Sequence, residues 1–411
     1  MRRVVVTGFG FVSPLGNTYE DLLKSLREGY CAVDEITAYN THDMEVKLAC
    51  EAGDFTPEKY LDKKSMRRMD KVNQMGIAAA VDAADHAGLT EAVIDKYNPG
   101  VYVSSGIGGI YTLANECKKG MERGFDKISP FFIPMSITNL TAANIAIRLG
   151  AKGSCQCNVT ACAGATNSIG EAYRAIKHGY EDMILAGGAE SSITALGVGG
   201  FTSMKALSVE RDPKRASIPF DKERSGFVMG EGAGILVLET LDSALEREAH
   251  IYAEIGGYGT NCDAYHITSP SPEGAMAAKA MEYAMKEGNV KGEDVEYINA
   301  HGTSTPLNDK YETMAIKKAL GAHGKTVPVS SSKSQMGHLL GASGAVESII
   351  TIIAMNEGFM PATINYREKD PECDLNLIVN EIKEQPFKTA LKNSLGFGGH
   401  NATLLFKKWE V

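Results

Sequence analysis

Three residues of this 411-residue chain combine a reactive side chain with a setting that would present it: Cys162, His301 and His338. Cys162 lies in Val159-Thr160-Ala161-Cys162-Ala163-Gly164-Ala165, where the small residues that follow let a helix start and pack closely. A helix N-terminus favours negative charge, so this placement predicts a thiol pKa below the usual value. On local sequence alone the same cysteine reads equally well as a small buried core residue. His301 follows an apolar run in Asn299-Ala300-His301-Gly302-Thr303-Ser304-Thr305-Pro306, and His338 ends the segment Ser330 to Gly337-His338. A lone histidine is more often a packed or surface residue. One cysteine and two histidines at strand ends and helix starts can supply a nucleophile with proton-transfer or oxyanion partners. A metal centre is the competing reading. Cys162 and His301 are more than a hundred positions apart, so no short ligand spacing supports it. The turn Asn393-Ser394-Leu395-Gly396-Phe397-Gly398-Gly399-His400-Asn401 places three glycines around one phenylalanine. It can expose backbone N–H groups as an oxyanion hole requires, or be an ordinary turn before a last strand over 402–406.

The elements that must carry these residues read as an α/β fold. Short apolar strands are expected at 3–8, 100–104, 183–188, 234–239, 252–256 and 295–300, alternating with longer helical segments. Ile169, Ala172, Tyr173 and Ile176 follow helical spacing, with Gly179 as a stop. A second helix, from Gly344 to about Gly358, is apolar on most faces and therefore belongs in a core. The second part of the chain repeats the first: a strand, a small-residue loop, then a helix opened by small residues. The expected halves are 1–250, carrying the cysteine, and 251–411, carrying both histidines. No low-complexity linker divides them, so they are expected to pack as one body.

Composition narrows the function classes. Net charge is −9 and charged residues are 23% of the chain, which argues against a nucleic-acid-binding body. No stretch is long and apolar enough for a membrane span or signal peptide. Eight scattered cysteines in so long a chain suit free thiols in a reducing cytoplasm rather than a disulfide framework. The 43 glycines exceed a tenth of the chain, against about 7% on average, without any collagen-like period. They cluster at strand ends and helix starts, where backbone must approach something closely.

Taken together, the motifs resemble the β-ketoacyl-acyl-carrier-protein synthases of the thiolase superfamily, most closely the elongating type II members. The resemblance runs from Val4-Val5-Val6-Thr7-Gly8 through Pro219-Phe220-Asp221-Lys222 and the run Gly226 to Gly234 to the final glycine turn. Thr160-Ala161-Cys162, His301 to Pro306 and Lys333 to Gly341 occur in the family's order and spacing. The resemblance implies a duplicated αβαβα layered fold, a homodimer, and a decarboxylative Claisen condensation without metal or organic cofactor, the phosphopantetheine arriving on acyl carrier protein. It implies Cys162 as the acyl-accepting nucleophile, with His301 and His338 supporting decarboxylation and the enolate. The backbone N–H groups of Cys162 and Phe397 are the implied oxyanion hole. Lys333 matches a lysine near the histidines, with Glu312 as its ion partner. Thr303 and Thr305 match residues on the pantetheine arm, Phe397 a gate, Asp263 and His266 a loop beside that gate, and Ile107 and Phe201 the acyl pocket.

Carrier proteins are acidic, and so is this chain, so docking requires a local cationic patch. Lys63, Lys64, Arg67 and Arg68 form the densest basic cluster, and Arg123, Lys127 and Lys205 are expected to join it. A solvated helix face is the commoner fate of such a run. The chain departs from the common family pattern in two places: the run Ala163-Gly164-Ala165-Thr166 after the cysteine, and His400 after the glycine turn. Two alternatives share the resemblance: a polyketide-type ketosynthase, and a non-catalytic chain-length partner, against which the presence of Cys162 argues. A degradative thiolase would need a second cysteine in the final glycine turn, and the last cysteine is Cys373.

Overall fold

The computed structural model describes residues 1–410. An eleven-stranded sheet runs through the molecule, joined at its middle where Val5 and Val6 of the first strand, Val4–Val12, pair antiparallel with Glu254 and Ala253 of Ala253–Cys262. Outward from Val4–Val12 come Gly232–Thr240, Met183–Glu190, Gly100–Ser104 and Cys155–Gln156. Outward from Ala253–Cys262 come His400–Lys408, Thr389–Gly396, Tyr297–Asn299 and Pro328–Ser330, with Asn376–Leu377 added at the edge. Numbering five strands by their order within each half, both halves run first, fifth, fourth, second, third. The repeat that is faint in side chains is therefore plain in topology.

Helices complete five layers. Lys71–His86 and Leu140–Leu149 cover the outer face of the N-terminal half, and Ala275–Glu287 with Pro306–Leu320 covers that of the C-terminal half. Between the two half-sheets lie Gly164–Lys177 and Ser343–Glu357, each touching strands of both halves. This burial on every side is why Val346, Ile349, Ile350, Ile352 and Ile353 follow no single stripe: each is at most 1% exposed. Each such side chain contributes about 1.5–3 kcal/mol of apolar burial. The central helices end at Gly179 and Gly358, both at positive φ. Several strands extend beyond their expected limits, most at Ala253–Cys262, because pairing to His400–Lys408 continues past the apolar run, whereas the strand expected at 295–300 is confined to Tyr297–Asn299. Among the described residues no helix is long and apolar enough to cross a membrane, and the eight cysteines are free.

Candidate active site

The two central helices deliver the chemistry. A 3-10 turn, Ala161–Ala163, leads into Gly164–Lys177, and a matching turn, Leu340–Ala342, leads into Ser343–Glu357. Ala161 (φ 49°) and Leu340 (φ 47°) occupy the left-handed region at equivalent places in the two halves. A non-glycine residue there costs on the order of 1–2 kcal/mol, so both turns are held by their surroundings. The helices meet closely at Gly344, where a Cβ would fall 2.2 Å from Thr166 Oγ1. This convergence brings Cys162 and His338 to the same place. His338 is clamped by the segment 227–230: its N–H donates to Val228 O (2.7 Å), and its carbonyl accepts from Gly230 N (2.9 Å).

A cleft of about 550 Å³ opens over them. Cys162, His301 and His338 line it together with Phe201, Lys205, Asp263, Thr303, Thr305 and Phe397. The imidazoles of His301 and His338 stand edge to face, 5.3 Å between centroids. Phe201, Phe227 and Phe397 form an aromatic wall, with Phe201 5.5 Å from Phe227 and 6.3 Å from Phe397. Cys162 packs against an apolar cluster that includes Phe201, Phe227, Ile193, Val198 and Leu340. Thr303 and Thr305 share a 2.9 Å hydroxyl contact. Gly396 approaches the cysteine turn closely: a Cβ there would stand 2.9 Å from Thr160 O and 3.3 Å from Cys162 N. The start of the glycine turn thus packs directly against the cysteine turn. Asp263 ties the neighbouring loop to the glycine turn, accepting from Asn401 Nδ2 (2.7 Å) and Ser271 N (2.8 Å).

Burial sets the protonation states. It pushes the Cys162 thiol up to about 12, against the opposing pull of Lys333. The expectation of a lowered pKa from the helix start is therefore overturned. The residue keeps an opening to the cleft, but protein surrounds its sulfur, and lost hydration outweighs the helix. Burial also holds His301 and His338 well below the usual imidazole value, reinforced at both by Lys333 and Lys392. His338 Nδ1 lies 2.8 Å from Ser343 Oγ, while the Nδ1 of His301 has no partner.

The expected Lys333–Glu312 pair does not form. Lys333 bonds Glu347, which also faces Lys392 Nζ at 2.6 Å. Glu312 instead accepts the N–H groups of His301 (2.7 Å) and Gly302 (2.8 Å), fixing the histidine loop. The reason is geometric: Glu312 sits on Pro306–Leu320, outside the half-sheet, whereas Lys333 reaches the central layer where Glu347 lies. Glu347 and Lys392 were missed by the sequence reading. The available signal was a carboxylate, Glu347, inside the apolar part of a helix and a lysine after the apolar pair Ala390-Leu391, since fully buried charges are almost always paired.

Several expected residues lie away from the cleft. Ile107 is 36% exposed and outside the cavity lining, its N–H donating to Glu190. His266 does not line the cleft either; its Nδ1 accepts from Thr268 N and Ser269 N, residues that do. Lys63, Lys64, Arg67 and Arg68 are exposed around the short helix Lys63–Met66, with Arg68 stacked 4.7 Å over Phe131. Arg123 and Lys127 are exposed, and Lys205 is exposed at the cleft.

A duplicated five-layer fold with a cysteine and two histidines gathered on one cleft defines a condensing enzyme, an acyltransferase of thiolase-like architecture. Residues 1–244 match the family model described as β-ketoacyl synthase, N-terminal domain, and 252–367 that of the C-terminal domain. The chain belongs to the β-ketoacyl synthase family. It is 46% identical over 410 residues to a 3-oxoacyl-acyl-carrier-protein synthase 2 of Synechocystis sp., covering 100% of this chain and 99% of that protein. A solved β-ketoacyl synthase of Burkholderia phymatum superposes with a TM-score of 0.94 at 32% identity, both chains covered in full. A structure described as a type II PKS acyl-carrier protein in complex with its ketosynthase bound to the hexaketide gives 0.92 at 32%, again with both covered in full.

Proposed function

We propose that this chain elongates fatty acyl groups, condensing an acyl thioester with malonyl-acyl-carrier protein by way of acyl-Cys162. The observation that carries the reading is the convergence of Cys162, His301 and His338 on one cleft flanked by an apolar cluster. The 46% identity to a fatty-acid-type synthase, against 32% to the polyketide ketosynthase, favours fatty acid elongation.

In the first half-reaction the Cys162 sulfur attacks the acyl carbonyl. An S–C bond forms, the carrier thiolate leaves, and the cysteine proton passes to it. The N–H groups of Cys162 and Phe397 receive the oxyanion, and the acyl chain lies against Phe201, Phe227 and Leu340. Burial keeps the resting cysteine as a thiol, so proton loss accompanies attack. In the second, malonyl thioester enters past Thr303 and Thr305 and loses carbon dioxide, the C–C electron pair becoming an enolate. That carbanion attacks acyl-Cys162, forming the new C–C bond and expelling the thiolate, which is reprotonated. A neutral imidazole donates a hydrogen bond to the enolate oxygen without giving up a proton. For His338, a Ser343 hydroxyl donating to Nδ1 leaves the proton on Nε2, the useful tautomer. Donors aimed where charge develops are most effective in such a dry site.

The proposal needs no metal or organic cofactor of its own. The carrier protein docks on the patch of Lys63, Lys64, Arg67 and Arg68, with Arg123, Lys127 and Lys205 extending it towards the cleft. Exposed apolar side chains concentrate over 107–159, among them Tyr111, Met121, Phe125, Ile133 and Ile147, which supports a homodimer through that face. The cytoplasm, where malonyl-carrier protein would be met, is the proposed compartment.

The test is condensation of acyl- and malonyl-carrier protein by purified protein, read by mass spectrometry of the 3-oxoacyl product and of the Cys162 peptide. Wild type should acquire the acyl mass on Cys162, and Cys162→Ala should form no product above background. Unimpaired condensation by Cys162→Ala would refute the assignment.

A further inference from the structure

Behind the cleft lies a charge cluster that no substrate can reach. Lys333, Glu347 and Lys392 are 1%, 0% and 0% exposed. Lys333 Nζ bonds Glu347 Oε1, and Lys392 Nζ faces Glu347 Oε2 at 2.6 Å. Lys392 also donates to Asn393 O (2.6 Å) and Ser394 Oγ (2.5 Å). One carboxylate thus serves two ammonium groups, and the excess positive charge sits in the dry interior. Such an arrangement is costly unless it serves something, because each buried ion loses several kcal/mol of hydration, by order of magnitude.

Its connections reach all the parts of the site. Glu347 belongs to the central helix that follows His338. Ser394 Oγ, the acceptor for Lys392, lies 2.8 Å from Thr166 Oγ1 on the central helix that follows Cys162. Lys392 is on the strand Thr389–Gly396, which runs directly into the turn bearing Phe397. Asn393, the next residue, contacts Glu312, the carboxylate that holds the His301 loop.

We propose that Lys392 is a positioning residue of the condensing site, its buried ammonium completing a Lys333–Glu347–Lys392 array that sets the field at the back of the cleft and locks the glycine turn to the two central helices. The inference rests on the condensation reading for its kinetic consequences only. The charged groups around Lys392 are Glu347 and Lys333 on the central side and Glu312 on the outer helix, with His301 and His338 beyond them. Burial lowers the Lys392 ammonium to about 8, against the pull of Glu347, so the array loses its excess charge above that pH. Removing that charge withdraws one contribution, behind burial and Lys333, that resists protonation of each imidazole.

The experiment compares wild type with Lys392→Met, which keeps the chain volume and leaves Glu347 paired with Lys333. Imidazole NMR titration, independent of any activity, should show the midpoints of His301 and His338 rising by about half a unit or more in the variant. Carbon dioxide release from malonyl-carrier protein should fall about tenfold in kcat with little change in KM, and its acid limb should move to higher pH. Unchanged midpoints and an unmoved acid limb would overturn the proposal, because loss of packing alone lowers kcat without moving them. Wild type provides a second measurement that needs no variant: as Lys392 loses its charge above about pH 8, the positive field on the developing enolate weakens and decarboxylation should decline. A rate that stays flat to pH 10 would also overturn it. Should wild type release no carbon dioxide at all, the condensation reading fails, and the NMR comparison still decides the role of Lys392. If Lys392→Met does not fold, Lys392→Gln, which keeps a hydrogen-bond donor without the charge, carries the same comparison.

Discussion

Acidification should destabilise this protein through its two buried histidines, and the size of the effect follows from their setting. His301 is 3% and His338 2% exposed, and burial, with Lys333 and Lys392 nearby, holds both well below the usual imidazole value. In the unfolded chain each titrates near 6.5, so below that pH the unfolded state binds protons that the native state refuses. Stability is therefore present above pH 6.5 and lost as pH falls. At pH 5.5 an unfolded imidazole is about ten-elevenths protonated, which corresponds to about 1.4 kcal/mol for each native imidazole that stays neutral. The pair accounts for about 2.7 kcal/mol between pH 7.5 and 5.5, a large fraction of a typical total of roughly 5–15 kcal/mol. The assay is equilibrium urea unfolding at both pH values for wild type and for His301→Asn/His338→Asn. Carboxylates contribute to both proteins and cancel in the comparison. The double variant should lose about 2.7 kcal/mol less than wild type over this range. Parallel losses would refute the reasoning, since the imidazoles would then titrate alike in the folded and unfolded states.

Two further outcomes follow from the site and its surroundings. Gly396→Ala forces a Cβ to within 2.9 Å of Thr160 O and 3.3 Å of Cys162 N, moving the glycine turn off the cysteine turn. Acylation of Cys162 should slow at least about tenfold, read by single-turnover mass spectrometry, and a normal rate would exclude the proposed oxyanion hole. Charge reversal at Arg67 and Arg68 should raise the apparent KM for carrier protein with little change in kcat. The difference should shrink from about 50 mM to 500 mM salt as the Debye length contracts; an unchanged KM at low salt would place docking on another face.

The chain order of residue types determined much of this protein. Short apolar runs between turn residues located the strands, because a strand buried on both faces reads as a continuous apolar run. Cys162, His301, His338 and the Gly396–Gly399 turn were visible as reactive or backbone-exposing residues at element ends, and the family motifs set their roles as expectations. Tertiary structure decided what depends on approach between distant segments. It paired Lys333 with Glu347 rather than Glu312, because the central helix, not the outer one, faces the lysine. It left Ile107 outside the cleft of a single chain. It also reversed the expected shift of the Cys162 thiol, since desolvation depends on everything packed around a sulfur and no local motif encodes that. The glycine excess shows the same division. Its clustering was legible in the sequence, but that Gly344 marks a helix crossing and Gly396 an approach to the nucleophile is a fact of packing, which only the folded chain defines.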